Sequence, residues 1–316
     1  MALSSAALGG STARSVVAEQ LTRRDRDVKG SVFALLLLLA TVSTLVILAS
    51  LLAQVFGEAG PYLADRGLSF VTEPIGSDPD EIGVWSGLYG SIGIGIVVMI
   101  VAIPMGIAAA IYLEEYAHQS NRLTRIILVN IRNLAGVPAV IYGVLGFIIF
   151  VRWLDPITRG DSVIAAGLTM AVLVLPIVVI TSMEAIRAVP QGLRDGGYGV
   201  GASRWEVIKD HVLPYAAPGI LTGTVLSLAR ALGEAAPLII VGAITGFLPA
   251  TSLTGKFSAV PILIYRWTGQ AQPPSSEFSF TAAAAGAGVV LLVLVFSFNI
   301  SAILLRNRFE RARAGQ

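Results

Sequence analysis

The sequence predicts an all-α membrane protein of six transmembrane helices with both termini in the cytoplasm. Three observations carry that expectation. Of 316 residues, 55% are hydrophobic and only 13% charged, where soluble domains hold roughly 25% charged residues; the mean hydropathy is +0.77. Six segments stay apolar over the ~20 residues that a bilayer core demands of a helix. The basic residues fall in alternate connections, and that asymmetry sets orientation.

Taken in order, Ser31–Phe56 carries no charge and makes the first span, and Ile82–Leu113, also uncharged, holds the second. The third runs from about Ile126 to Val151 with one charge, Arg132; the fourth is Ser162–Met183. The fifth, about Tyr215–Ala243, contains Arg230 and Glu234, and the sixth is Phe278–Leu305. With both termini inside, cytoplasmic segments hold 15 Lys and Arg and the outer loops hold 5, leaving Arg132 and Arg230 within spans. Three to one is a firm bias.

The domain organisation follows. Residues 1–30 are polar and poor in aromatics, predicting a mobile cytoplasmic tail; residues 31–305 form the membrane domain, with a cytoplasmic loop at about 184–217; residues 306–316 are a cytoplasmic tail. The first apolar stretch starts too late and runs too long for a signal peptide. No internal repeat points to an inverted-repeat secondary transporter. Ser86 with Gly90 and Ser91 with Gly95 are small-xxx-small pairs that let helix backbones approach closely. Pro138, Pro176 and Pro237 lie inside spans, where each removes a backbone hydrogen bond and can kink its helix.

Several functions are excluded. The chain has no cysteine and two histidines, His118 and His211, so disulfides, thiol catalysis and a Cys or His metal site are not expected. A net charge of +2 gives no basis for nucleic-acid binding. A nucleotide loop requires G-x-x-x-x-G-K-[ST] after a strand; at Gly255-Lys256 the other required positions are Ala250 and Phe257. No catalytic residue is expected in this chain.

The loop "LRDGGYGVGASRWEVIKDHVLP", Leu193 to Pro214, is the part that asks for a partner. Pro190 can open a helix, because a first-turn proline loses no intrahelical bond. Gly201 suits the left-handed residue that ends it. Ser203-Arg204-Trp205-Glu206 reads as a capping box, starting a second amphipathic helix to about Val212 that Pro214 closes. Two helices and a turn projecting from a membrane bundle make a docking surface; the alternative is an ordinary solvated loop.

This loop resembles the E-A-A-x3-G-x9-I-x-L-P loop of importer-type ABC permeases, with Asp195-Gly196-Gly197, Gly201, His211 and Leu213-Pro214 at the same spacing. Asp stands for Glu, Gly-Gly for Ala-Ala and His for Ile, and each Gly for Ala costs ~1 kcal/mol of helix propensity. "NLAGVPAVIYGVLG" (Asn133–Gly146), "ARALGEAAPLI" (Ala229–Ile239), "PILIYRW" (Pro261–Trp267) and "FNISAILLRNR" (Phe298–Arg308) resemble, in order, the PstA-type permeases of bacterial phosphate importers. The resemblance implies an importer-type permease bundle in the bacterial cytoplasmic membrane. It implies a PstC-like second permease, a dimer of PstB-like ATPases that binds the ATP and Mg, a PstS-like phosphate-binding protein, and inorganic phosphate as cargo. It also implies that Arg194, Asp195, Gly196, Gly197, Gly201, Ser203, Arg204, Trp205, Glu206, Leu213 and Pro214 dock the ATPase. A permease for sulfate or molybdate, or an ATP-independent secondary transporter, are the competing readings.

Charges inside a membrane helix are costly and are usually buried for function. Arg230 and Glu234 are four apart, so they share one helix face. A guanidinium matches phosphate oxygens bidentately, and the carboxylate would moderate its attraction so that the ion does not stick. The rival is a purely structural ion pair. Arg132 and Asn133 are further candidates for the path; Arg132 can instead snorkel to the cytoplasmic interface.

Overall fold

A computed structural model describes residues 28–118, 121–243 and 252–314, and every regular element among them is helical. Most of the expected N-terminal tail, residues 1–27, lies outside the described residues, as do 315–316. The chain divides into two units, Met1–Gln54 and Val55–Gln316. Helix α1, Val28–Arg66, crosses that boundary. Its residues 28–54 are all exposed and mostly apolar, and the helix is long and apolar enough to cross a membrane.

In the second unit the end of α1 buries Ala59 and Tyr62. Then follow α2 (Ser69–Thr72) and α3 (Trp85–Ile111), which runs on through a widened π turn at Tyr112–Tyr116. Helices α4 (Arg122–Ala135) and α5 (Ala139–Gly146, continued as a π segment Phe147–Trp153) meet at a bend of 103°. After the short α6 (Asp155–Thr158), α7 (Val163–Arg187) occupies the centre, packed against α3, α4 and α5. Its run Val163–Arg187 is the most buried of the spans, 67% of its apolar window being covered, and Ser162 caps it by accepting from the Ala165 N–H. Helix α8 (Gln191–Gly199) leads to α9 (Arg204–Val207), a π turn Ile208–Val212 and α10 (Leu213–Gly233). The last elements are α11 (Ala236–Val241), α12 (Val260–Thr268) and α13 (Phe280–Ala314). Helix α10 packs on α7, α3 and α13.

Five helices are long and apolar enough to cross a membrane unaided: Val28–Arg66, Trp85–Tyr116, Val163–Arg187, Arg204–Gly233 and Phe280–Ser301. The bent pair α4–α5 passes the same test when its two halves are taken together, and makes a sixth span where the two halves cross as one. The third span, expected from about Ile126 to Val151 with a kink allowed at Pro138, is corrected: the helix breaks at that proline instead of kinking through it. Val137 precedes Pro138, which disfavours the helical region at that residue, and Pro138 has no N–H to continue the ladder. At the break the Leu134 carbonyl accepts the Val137 N–H at 3.1 Å and also the hydroxyl of Tyr142 at 2.7 Å.

The fifth span is corrected in the same way. Instead of running from Tyr215 to Ala243, the helix begins at Arg204 and stops at Gly233; Glu234 is extended (φ −86, ψ 121), and α11 restarts with Pro237 in its first turn. The two breaks are neighbours: α5 packs on α11, and Val137, Ala139 and Ala235 lie against one core with Tyr142 and Leu238. Pro214 does not close the second loop helix. It sits in the first turn of α10 after the π turn, whose looser winding accommodates the proline's missing N–H. The expected C-terminal tail continues α13 as far as Ala314.

The connection before the sixth span is less of a loop than expected. Phe257, Ala259, Val260, Pro261, Ile262, Leu263 and Trp267 are buried, and this stretch folds back against α3. Of the small residues read as helix-packing pairs, Gly90 and Ser91 serve this approach, whereas Gly95 faces Leu232 of α10 and Phe298 of α13, as helix packing requires. A Cβ at Gly90 would lie 1.8 Å from the Ser258 carbonyl oxygen, and Ser91 Oγ accepts from the Val260 N–H at 3.0 Å.

Candidate transport path and docking loop

Arg230 lies in the last turn of α10, where a cation faces the carbonyl end of the helix dipole. Glu234 is the first residue beyond the helix, yet the pair persists, with Nε to Oε1 at 3.7 Å. Their side chains are 49% and 29% exposed. The charges thus sit at a break in the helix ladder, on a face left open by this chain. Non-helical backbone at membrane depth is tolerated where it is covered by protein or lines a water-filled cavity, and discontinuous helices flank binding sites in many transporters.

Arg132 and Asn133 end α4 at the other break, both exposed. Arg132 lines a cavity of about 150 Å³ with Leu128, Ile131, Ile180, Met183, Glu184 and Arg187. The structure joins Arg230 to Glu234; it gives Arg132 a different neighbourhood, towards the C-terminal end of α7. Among the described residues no group of His, Asp or Glu could hold a metal ion.

The loop between α7 and α10 has the expected two helices and turn. Gly201 has φ +85, and the hydrogen bonds Gly201 N to Tyr198 O (3.0 Å) and Ala202 N to Gly197 O (3.1 Å) form a Schellman end. Ser203 starts α9 with a complete capping box: Ser203 N and Oγ each donate to Glu206 Oε2 at 2.7 Å, and Glu206 N donates back to Ser203 Oγ at 3.4 Å. The two glycines that replace alanines are not equivalent. Gly196 faces open space, whereas a Cβ at Gly197 would lie 2.8 Å from Val207 Cγ2 and 3.2 Å from His211 Cδ2. The exchanges at Gly197 and His211 are therefore spatially linked.

Asp195 is exposed and accepts from Gln191 Nε2 at 3.4 Å. Trp205 is 53% exposed, Leu213 is half-buried and Pro214 exposed. Arg204 turns towards α3, its guanidinium carbon 4.8 Å from the centre of the Tyr116 ring. Arg194 points inward to Glu115, so its side chain is not offered to a partner. Two residues that the motif does not contain are offered instead: Tyr198 and Val200 are 43% and 85% exposed at the turn. Apolar side chains at a glycine-rich turn between polar residues are the signal that marks them in the sequence.

These features define a multi-pass membrane helix bundle with a charge pair at a break in one helix and a helical loop packed against the ends of α3 and α7. The chain belongs to the family of binding-protein-dependent transport system inner membrane components, whose profile matches residues 102–314. It is similar to the phosphate transport system permease protein PstA of Mycobacterium leprae (strain TN), 33% identical over 254 residues, 80% of this chain and 81% of that protein. The PstA 1 protein of Mycobacterium tuberculosis (strain ATCC 25618 / H37Rv) is 32% identical over 254 residues, 80% of each chain. The fold is that of a chain of a bacterial alginate ABC transporter solved with an alginate pentasaccharide-bound periplasmic protein, with TM-score 0.63 and 17% identity over 90% of this chain and 98% of that one. The protein is thus an ABC importer permease subunit of the inner membrane. Such subunits work with an ATPase and a binding protein and carry no catalytic activity themselves.

Proposed function

We propose that this chain is one of two permease subunits of an ATP-driven inorganic phosphate importer. The observation that carries the reading is the 33% identity to a phosphate transport permease across four fifths of the chain. The Arg230–Glu234 pair at the end of α10 supports it: a guanidinium fork suits a tetrahedral oxyanion, and the neighbouring carboxylate keeps the attraction weak enough for the ion to leave. In this reading the partner permease is PstC-like, two PstB-like ATPases bind the ATP and Mg, and a PstS-like protein delivers phosphate. The loop from α8 to α9 enters a groove on one ATPase, with Tyr198, Val200 and Trp205 as its apolar contacts and the Gly201 turn setting their spacing. Both termini face the cytoplasm.

The test is uptake of radiolabelled phosphate against sulfate by the reconstituted four-component system, with and without ATP. ATP-dependent uptake of phosphate in preference to sulfate is the expected result. Preference for sulfate overturns the cargo, and uptake without ATP overturns the coupling.

A further inference from the structure

The outer surface of the α8–α9 loop serves docking in the reading above; its inner surface holds a buried ion pair that docking does not use. Glu115, in the π turn that prolongs α3, and Arg194, on α8, are 8% and 13% exposed and lie 79 residues apart in sequence. Arg194 Nη2 and Nε donate to Glu115 Oε1 at 2.9 and 3.3 Å. The same guanidinium donates from Nη2 to the Ile186 carbonyl at 2.9 Å and from Nη1 to the Val189 carbonyl at 2.6 Å. One side chain thereby fastens the loop helix to the end of α3 and to carbonyls at the end of α7.

The residues beside Glu115 repeat the pattern. Glu114 accepts from Arg187, the last residue of α7, at 2.5 and 3.3 Å. Tyr116 lies under the guanidinium of Arg204, the first residue of α9. Three successive side chains at the end of α3 thus receive cations from α7, α8 and α9. A buried ion pair stabilises a fold less than well-packed apolar residues of the same volume. What a guanidinium fork adds is fixed direction: several hydrogen bonds in one plane resist sliding and rotation where apolar contacts would slip.

The covalent path makes the consequence specific. From Arg204 the helix runs without interruption to Gly233 and carries Arg230. A displacement of the loop therefore reaches α10 and, across the three residues Ala188–Pro190, α7 through the backbone, but reaches α3 only through side chains: these pairs and the apolar core that Ala110 and Leu113 share with Val207 and Val212.

We propose that Glu115 and Arg194 are positioning residues of the transport cycle, which lock the docking loop to α3 so that ATP-driven movement of the loop moves this span together with α7 and α10. The proposal rests on the docking reading of the loop. Since the chain has no cysteine, a single cysteine at the exposed position Ala108 near the cytoplasmic end of α3 reports on that span. Its maleimide labelling rate would be measured with and without ATP, in the complete complex with its ATPase, for the Ala108→Cys chain alone and combined with Glu115→Gln, Glu115→Leu or the swap Glu115→Arg with Arg194→Glu. ATP should change the labelling of the otherwise unaltered chain. The change should shrink several-fold in Glu115→Leu and less in Glu115→Gln, which keeps a hydrogen-bond acceptor, while ATPase co-purification and hydrolysis persist. The swap should restore the response in part, since it keeps the charge pair while a carboxylate at position 194 cannot donate to the Ile186 and Val189 carbonyls.

A cysteine that ignores ATP in the otherwise unaltered chain overturns the proposal, as does a full response in Glu115→Leu. Loss of ATPase binding in the folded Glu115 variants also overturns it, since the pair would then shape the docking surface itself. Should Glu115→Leu fail to fold, the swap decides: a response restored with the charges exchanged supports the tie, and a folded swap without response overturns it. The labelling needs no transported ion, so it reads the tie whatever the cargo; a wrong phosphate assignment shows separately, as absent uptake by the unaltered complex.

Discussion

Arg230 is half-exposed in this chain, and that decides how its pair with Glu234 should behave when cut. Removing one partner of a fully buried pair costs about 3–5 kcal/mol, enough to prevent assembly. Solvent-exposed pairs contribute about 1 kcal/mol or less, and this pair, 49% and 29% exposed in the single chain at a 3.7 Å separation, belongs near that end when its open face lines a water-filled path. Arg230→Gln should therefore leave a folded complex that hydrolyses ATP and should abolish phosphate uptake. Glu234→Gln should reduce uptake less, because it removes the moderator and leaves the anion's partner. The swap Arg230→Glu with Glu234→Arg should assemble without transporting, its guanidinium now standing beyond the end of α10. Complex yield, ATPase rate and uptake would be measured for all three; full recovery of uptake in the swap would show that the pair is only structural. These two residues were legible because a charge in an apolar run is conspicuous. Glu115 was not, since its partner is 79 positions away and a carboxylate at the end of a span reads as an ordinary interfacial residue.

At the scale of elements, the loop's turn and its two glycines make separable predictions. Nothing lies within 4 Å of a Cβ at Gly201, but its φ is +85, so a substitution there meets backbone strain alone. An L-residue pays ~1–2 kcal/mol in the left-handed region, and asparagine tolerates it best. Gly201→Val should leave membrane insertion intact and collapse uptake, while Gly201→Asn keeps most of it; normal ATPase capture and uptake by the valine variant would remove the turn from the docking assignment. Gly196→Ala, in open space, should stabilise α8 by ~1 kcal/mol, whereas Gly197→Ala must displace Val207 or His211 and should loosen it. Amide exchange across Gln191–Gly199 reads the opposite signs. Caps and turn were legible because they depend on local residue chemistry. The crowding at Gly197 was not, because it involves side chains on the next helix. The breaks at Pro138 and Pro237 were half legible: a membrane proline marks a weak point, but whether the helix kinks or stops depends on what packs there, here α5 against α11. The buried segment around α12 escaped because nine residues are too few to register as a span.

For the molecule as a whole, the sidedness of the loop depends on whether α4 and α5 together cross the membrane. Helix α5 with its π extension, Ala139–Trp153, is about 22 Å long at 1.5 Å per residue, shorter than the ~30 Å hydrocarbon core. The amphipathic α4 must then complete the passage from the cytoplasmic interface, with Arg122 and Arg125 at its start. If the bent pair instead returned to the side it left, five spans would remain and the termini would lie on opposite faces. The basic residues distinguish the two arrangements. Six spans place 15 outside-of-span Lys and Arg in the cytoplasm against 5 beyond the membrane; five spans would leave eleven against nine, no bias at all by the rule that governs insertion. Five spans would also place the loop with Arg187, Arg194, Arg204 and Lys209 on the face opposite the N-terminal tail, out of reach of any ATP-hydrolysing partner. Reporters active only beyond the membrane should therefore be silent when fused before Met1, after Gln316 or within the loop at Val200, and active when inserted at Gly160, in the connection before α7. Activity at Gln316 and Val200 with silence at Gly160 would establish five spans, and the docking loop, the tie at Glu115 and the direction of transport would all have to be reassigned.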